Sequence, residues 1–360
     1  MVGLGMGIIG CGRMGKVWVD AIGRCETASV RAVFDTNQEA AAEKAALAGD
    51  GAVALSGQID DLLQRSDVDA IVVCTPTFTH VDTVDLIAAA GKHVLCEKPM
   101  ALTLGQARRM INACSQAGVK LAIGHTLRFW GAFLTTRRLV EEGVIGTPAF
   151  AQVIRGGAAG RRTIETAGAE ADGGRPWRID TRYSGGNILE GVVHELDFTR
   201  TLLGELCYAS ATASGRIEGA GHVSPIVLQA VLEFAGGASA TCRMGSWVGY
   251  DGGGTWVAGT TGTLRFTDWT GPVWLHEPGE EPKPIEAADS LAYDRELADF
   301  LGAIDSGGEP ENSGLNGLQN LGLGLALYQS IASGQRIQFT DQMPVDVDDD
   351  YQYRGPNTII

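Results

Sequence analysis

The sequence predicts an α/β protein in two parts: a doubly wound parallel sheet over residues 1–123, then an α/β domain with a mainly antiparallel sheet over residues 124–360. Three observations carry this reading. Strand-like and helix-like runs alternate up to about residue 123, the grammar of a parallel sheet covered by helices. A glycine turn, Gly10-Cys11-Gly12-Arg13-Met14-Gly15, sits between the first strand and the first helix. After Gly124, strand-like segments follow one another with few helices between them, as antiparallel connections allow.

Taken in order, Met6 to Ile9 reads as a strand, Arg13 to Ile22 as a helix, Val30 to Phe34 as a strand and the Ala-rich run Gln38 to Ala48 as a helix. Ile59 to Leu63 reads as a short helix, Ala70 to Cys74 as a buried apolar strand and Thr79 to Ala90 as a helix. His93 to Cys96, Leu104 to Ala117 and Leu121 to Ile123 complete the alternation as strand, helix and strand. Beyond it come a helix from Phe129 to Glu142 and β-rich segments at Ala149 to Ile154, Ile226 to Phe234, Ala238 to Met244 and Gly254 to Phe266. Helices are expected at Gly186 to Leu203, Tyr293 to Ser306 and Gly314 to Ser333, and the acidic tail Asp341 to Tyr351 is expected to wrap the surface. The C-terminal segment is a candidate to pack back on the first domain. Residues 156–186, rich in Gly and Arg, read as a long loop, and such loops in compact domains are commonly functional or disordered.

Composition narrows the function classes. Of 360 residues, 44% are hydrophobic, enough for sizeable cores, and Lys+Arg 28 against Asp+Glu 43 leaves a net charge of -15. So acidic a surface repels phosphate backbones, and nucleic acid is not an expected partner. Apolar stretches fall well short of the ~20 residues that cross a bilayer. Met1 to Gly10 has no basic leader and runs directly into a strand the fold needs, so a cytoplasmic location is expected. Seven cysteines without CxxC spacing suggest reduced, mostly buried thiols rather than disulfides or a metal site.

The chemistry-bearing residues cluster at predicted strand ends. Gly10, Gly12 and Gly15 fit G-x-G-x-x-G: the first permits the tight turn, the second lets backbone N–H groups approach a pyrophosphate, and the third lets helix pack on strand. The intervening Arg13 and Met14 belong to the same turn. Asp35, about 20 residues further on at the end of the second strand, can accept hydrogen bonds from an adenosine ribose. A 2′-phosphate would meet its charge, and Thr36-Asn37-Gln38 supplies no Arg or Lys, so NAD is expected over NADP. Two further segments follow strands: Thr75-Pro76-Thr77-Phe78-Thr79-His80, and Glu97-Lys98-Pro99. Ligands bind at such carboxyl ends of open α/β sheets. Thr75, Pro76, His80, Glu97 and Lys98 are therefore expected beside the cofactor, and Lys98 is placed to exchange a proton with a substrate hydroxyl.

The glycine turn, Asp35, the T-P-x-x-x-H segment, Glu97-Lys98-Pro99 and the helix carrying His194 together resemble the glucose-fructose oxidoreductase/inositol dehydrogenase/rhizopine-catabolism (Gfo/Idh/MocA) family. The likeness extends through Glu142-Gly143-Val144-Ile145-Gly146-Thr147-Pro148 and the Tyr328 to Gln335 segment. It implies a Rossmann domain, a second domain whose large open sheet supports a homodimer or homotetramer, and reversible oxidation of sugars or cyclitols with NAD(P). Members usually carry Asp, then Gly two residues on, then His four residues on. Here Glu190 replaces the Asp and Val192 the Gly, while His194 is retained. Spacing i, i+4 puts Glu190 and His194 on one helix face, where the carboxylate can orient the imidazole.

The resemblance also points to His125 and Arg128 as substrate-facing. Within the long loop, Arg161, Arg162, Arg175, Arg178 and Arg182, with Trp177 and Tyr183, form a local basic cluster that can recognise an anion through bidentate hydrogen bonds, or serve as a subunit contact. Arg178 and Trp177 are carried as substrate-binding candidates. The leading expectation is hydride transfer from a ring carbinol with proton traffic through Lys98, His194 and Glu190. An NAD-retaining glycosidase, which oxidises C3 transiently, eliminates and re-reduces, would use the same residues. A dinucleotide-sensing protein without activity is a third reading, against which Lys98 and His194 argue.

Overall fold

The computed structural model describes residues 3–49, 51–157, 177, 180–214, 227–246, 254–288 and 291–353. The chain divides into two compact units: Met1–Thr126 with Tyr293–Leu318, and Leu127–Ala292 with Gln319–Ile360.

In the first unit, six strands form one parallel sheet: β1 (Leu4–Ile9), β2 (Ala28–Phe34), β3 (Val53–Leu55), β4 (Ala70–Val73), β5 (His93–Glu97) and β6 (Leu121–Gly124). Their spatial order is β3-β2-β1-β4-β5-β6, with every neighbouring pair parallel. All four residues of β4 are buried, as befits a strand covered on both faces. Between the strands run α1 (Arg13–Arg24), α2 (Gln38–Ala48), α3 (Asp60–Leu63), α4 (His80–Ala89) and α5 (Leu104–Ala117). Local chemistry sets their ends: Asn37 accepts the Glu39 and Ala40 N–H groups to start α2, and Thr103 accepts the Gln106 N–H to start α5, which stops at left-handed Gly118. The chain order reverses between β1 and β4. That reversal opens the crevice in which such sheets bind dinucleotides.

The core of this unit draws on a distant segment. Trp18 is wholly buried and meets Tyr293 edge-on, with centroids 5.3 Å apart. Leu297, Phe300 and Leu301, from the helix Ala292–Ser306, share a cluster with Met6, Ile8, Val33, Val72 and Leu95. Residues Tyr293–Leu318 thus belong with the parallel sheet, although they follow the predicted boundary at 123/124 by a long stretch of chain. The sequence reading passed over β3, an edge strand of only three residues, Val53-Ala54-Leu55, too short for a period to show.

The second unit contains a ten-stranded sheet. Its members are β7 (Pro148–Gly157), β8 (Leu206–Ser214), β9 (Val227–Phe234), β10 (Ser239–Ser246), β11 (Gly254–Gly259), β12 (Thr263–Phe266), β13 (Val273–His276), β14 (Lys283–Ile285), β15 (Ile337–Thr340) and β16 (Met343–Pro344). The order is β14-β13-β12-β11-β7-β10-β9-β8-β15-β16. The expected antiparallel pattern holds except that β7 and β10 pair in parallel. These two strands are far apart in sequence, and neither carries a local sign of its partner's direction. The segment read as Gly254 to Phe266 is two strands, turned at Thr260–Gly262. Burial alternates strictly along β9, so one face of the sheet is packed and the other is open. A helix at Gly131–Glu141 and the site helix Val193–Leu203 also lie in this unit, and the latter is preceded by a π-turn at Ile188–Val192. The long helix Gly314–Ser333 contributes its residues from Gln319 onward.

Candidate active site

The first unit brings the predicted cofactor residues to one edge of its sheet. The glycine turn leaves β1, Asp35 leaves β2, Thr75 follows β4 and Glu97-Lys98-Pro99 closes β5. Gly10 has φ +97°, and a Cβ there would lie 2.7 Å from the Cys74 carbonyl carbon. A Cβ on Gly15 would lie 2.3 Å from the Gly10 carbonyl oxygen. Both glycines are needed for the turn to close. Gly12 differs: it is the exposed N-cap of α1, no side chain caps the helix, and a Cβ would meet nothing within 4 Å. Orphan N–H groups and the positive end of a twelve-residue helix thus face an open cradle that suits a pyrophosphate. Asp35 is half-buried, and its Oδ2 accepts the Cys11 N–H at 2.7 Å. These residues fit a bound NAD.

Other candidates from the sequence are engaged with the protein. His80 is buried with Nε2 2.8 Å from Thr75 O and Nδ1 3.0 Å from Pro99 O, so it spans the loops after β4 and β5. Glu97 is buried; its Oε1 accepts the Trp18 indole N–H at 2.8 Å and its Oε2 the Lys98 N–H at 3.3 Å. Both residues, expected against the cofactor, hold the loops that carry Thr75, Pro76 and Lys98. Lys98 is half-buried and precedes a cis peptide to Pro99. His125 is 2% exposed.

A second carboxyl lies near Glu97. Glu296, on the helix Ala292–Ser306, is fully buried and lies 2.5 Å from Thr126 Oγ1, while Asn312 Nδ2 donates to it at 2.7 Å. Burial, reinforced by the charge of Glu97, pushes Glu296 up to about 8 against the opposing Thr126 and Asn312 bonds. The Tyr293 phenol is pushed up to about 12, first by burial and then by Glu97 and Glu296. The sequence reading missed this group. Its one visible sign was an acid on the apolar stripe Ala292, Glu296, Phe300, Ala303. The thiols of Cys11, Cys114 and Cys242 are each raised to about 12, mainly by burial, so none is a ready thiolate.

In the second unit, Glu190 lies on the π-turn and His194 one turn later on the site helix, both half-buried. Arg128, expected to face substrate, is held from the same helix by Asp197. Its side chain is only 5% exposed and is spent on Asp197, with Nε–Oδ2 2.6 Å and NH2–Oδ1 2.8 Å, and on Thr201 Oγ1 at 3.0 Å. Asp197 also takes Arg200 NH2 at 3.2 Å. A guanidinium so buried and so paired supports the helix. Arg155, on β7, donates to Gly191 O at 2.7 Å and to buried Glu195 at 3.1 Å, and the sequence reading did not single it out. Trp177 is half-buried. Arg178, with Arg161, Arg162 and Arg175, lies outside the described residues, and Arg182 pairs with Asp180 at 2.6 Å.

Comparison with known proteins agrees with this geometry. Residues 4–125 match the oxidoreductase family with an NAD-binding Rossmann fold, and residues 133–265 match the GFO/IDH/MocA C-terminal domain. The chain is 32% identical to the 1,5-anhydro-D-fructose reductase of Ensifer adhaerens, over 91% of this chain and 96% of that protein. It is 30% identical to the inositol 2-dehydrogenase of Rhizobium meliloti, over 92% and 98%. Among solved structures, the aldose-aldose oxidoreductase of Caulobacter crescentus complexed with glycerol superposes with a TM-score of 0.81 at 25% identity, covering 94% of this chain and all (100%) of that one. The chain therefore belongs to the GFO/IDH/MocA family of NAD-binding oxidoreductases.

Proposed function

We propose that the protein oxidises or reduces a CH–OH group of a sugar, sugar derivative or cyclitol with NAD(H). The observation that carries this is the end-to-end likeness to an inositol dehydrogenase and an anhydrofructose reductase, two enzymes whose named substrates are cyclic polyols or their ketones. Bound NAD supplies the hydride acceptor. Asp35 receives the ribose hydroxyls, and the N-terminus of α1 receives the pyrophosphate. Lys98 holds the reacting oxygen. His194 takes or returns the hydroxyl proton, and Glu190, four residues before it, orients the imidazole. Trp177 and Arg178 are carried as substrate-binding candidates.

The test is a screen of inositols, aldoses, anhydro-sugars, acidic sugars and glycosides with NAD, following NADH absorbance and product together. Net NADH formation with a polyol is the expected result. Release of an aglycone without NADH would replace this reading with the redox-neutral hydrolase. Lys98→Ala should cut turnover by about 10² to 10⁴ while leaving NAD affinity nearly unchanged.

The same proposal covers assembly and location. A homodimer or homotetramer forms through the open face of the ten-stranded sheet, where Val231 and Trp274 are exposed. Light scattering checks the mass, and Val231→Lys should lower it. Among the described residues no helix is long and apolar enough to cross a membrane. The cysteines are unbridged, which suits the reducing cytoplasm.

A further inference from the structure

Three turns of the long helix Gly314–Ser333 bear on the segment that carries Glu190 and His194. Asn320, Gly324 and Tyr328 are four residues apart and so form one stripe. Asn320 Nδ2 donates to Val193 O at 2.9 Å. A Cβ on Gly324 would lie 2.4 Å from Leu189 Cδ2, so only glycine lets the two backbones come this close without displacing that side chain. Tyr328, wholly buried, accepts the Ile188 N–H on its Oη at 3.0 Å.

The Ile188 bond answers a local need. N–H groups in the first turn of a helix have no intrahelical acceptor, and a buried one without a partner is costly. Ser184 Oγ serves the Gly186 N–H at 2.9 Å and Tyr328 serves the Ile188 N–H. The segment between Ile188 and Val193 is the π-turn, an irregularity that needs support from outside to keep one geometry. Tyr328 is in turn covered: the Tyr353 ring lies parallel to it, centroids 3.8 Å apart and planes 9° apart. Beside Tyr353, Gln352 Nε2 donates to Arg182 O at 3.1 Å.

We propose that Asn320, Gly324 and Tyr328, with Tyr353 stacked behind them, are positioning residues that hold the π-turn and thereby set the orientation of Glu190 and His194. None of the four touches a reacting atom. They act through the backbone of Ile188 and Val193 and the side chain of Leu189, and the segment following β16 becomes part of the active site's support. The inference rests on the roles given to Glu190 and His194 above.

Tyr328→Phe tests it with the fold kept, because it removes only the oxygen that accepts the Ile188 N–H. In the whole chain, amide exchange at Ile188 and Leu189 should quicken by about tenfold, with exchange elsewhere unchanged. The NMR titration midpoint of the His194 imidazole should move by about 0.3 pH unit or more, which a merely structural tyrosine would not do. Tyr353→Ala should produce the same two changes in weaker form. An unchanged Ile188 amide and His194 titration would overturn the proposal, as would exchange that quickens evenly through the chain. His194→Ala, assayed with the polyol found in the screen, separates the two levels. Retained turnover in that variant rejects the catalytic assignment, whereas an inert Tyr328→Phe rejects only the positioning.

Discussion

The carboxylate of Asp35 accepts the backbone N–H of Cys11 at 2.7 Å, so the acid that would meet the ribose also fixes the middle of the glycine turn. Its other oxygen accepts the Asn37 N–H at 2.8 Å. Asparagine has one acceptor oxygen where aspartate has two and cannot serve both N–H groups. Asp35→Asn should weaken NAD binding by about 10-fold or more and narrow the NAD to NADP preference, because the charge that repels a 2′-phosphate is gone. The ratio of kcat/KM for the two cofactors reads this. An unchanged ratio would remove Asp35 from cofactor choice.

Two alanine substitutions in the same turn should behave oppositely. Gly15→Ala places a Cβ against a backbone oxygen that has no room to move, at 2.3 Å, and is expected to lower Tm by several degrees as well as abolish NAD binding. Gly12→Ala fills open space, so the free protein should melt where the wild type does while NAD affinity drops by about 10-fold or more. Melting curves with and without NAD distinguish the two.

Stability should fall as pH rises through the neutral range, and Glu296 supplies the reason. Its folded-state carboxyl is raised from 4.5 to about 8, so the native state holds a proton that the unfolded chain releases. This contribution is complete below pH about 4.5 and is lost progressively up to about 8. Glu296→Gln keeps the neutral amide geometry and should flatten this part of the profile, with its largest relative gain above pH 8. Urea unfolding at a series of pH values checks it. A Gln variant that tracks the wild type throughout would contradict a protonated Glu296.

Asp197 stands between two buried guanidinium groups, those of Arg128 and Arg200. Asp197→Asn leaves both positive charges without their counter-charge and should destabilise the protein by about 3–5 kcal/mol. Replacing Arg128, Asp197 and Arg200 together with Met, Leu and Met should cost far less, since the buried charges then go as a unit. Equal losses in the single and triple variants would show that the packing, and not the charge balance, is what matters there.

How much of this could be read beforehand follows from where each interaction gets its information. The parallel sheet was legible because its strands are short buried runs and its helices start at local caps such as Asn37 and Thr103. The glycine turn and Asp35 were legible because a motif, a strand and a helix lie within one short stretch of chain. The protein partners of Glu97 and Arg128 were not legible, since Trp18 is 79 residues from Glu97 and Asp197 is 69 from Arg128. Thr126 and Glu296 are separated by 170 residues, and Ile188 and Tyr328 by 140. No periodicity reports such meetings. The parallel pairing of β7 with β10 was invisible for the same reason.

The contact between Trp18 and Tyr293 bears on how the protein is made. The glycine motif leaves the ribosome early, but the helix that completes its core is encoded after the whole run of strands β7 to β14. At bacterial or eukaryotic elongation rates of about 5–20 residues per second, the nascent parallel sheet waits on the order of ten seconds or more for that helix. During this interval Trp18 lacks the Tyr293 ring that meets it edge-on, and the nascent unit is expected to expose apolar surface of the kind that chaperones cover.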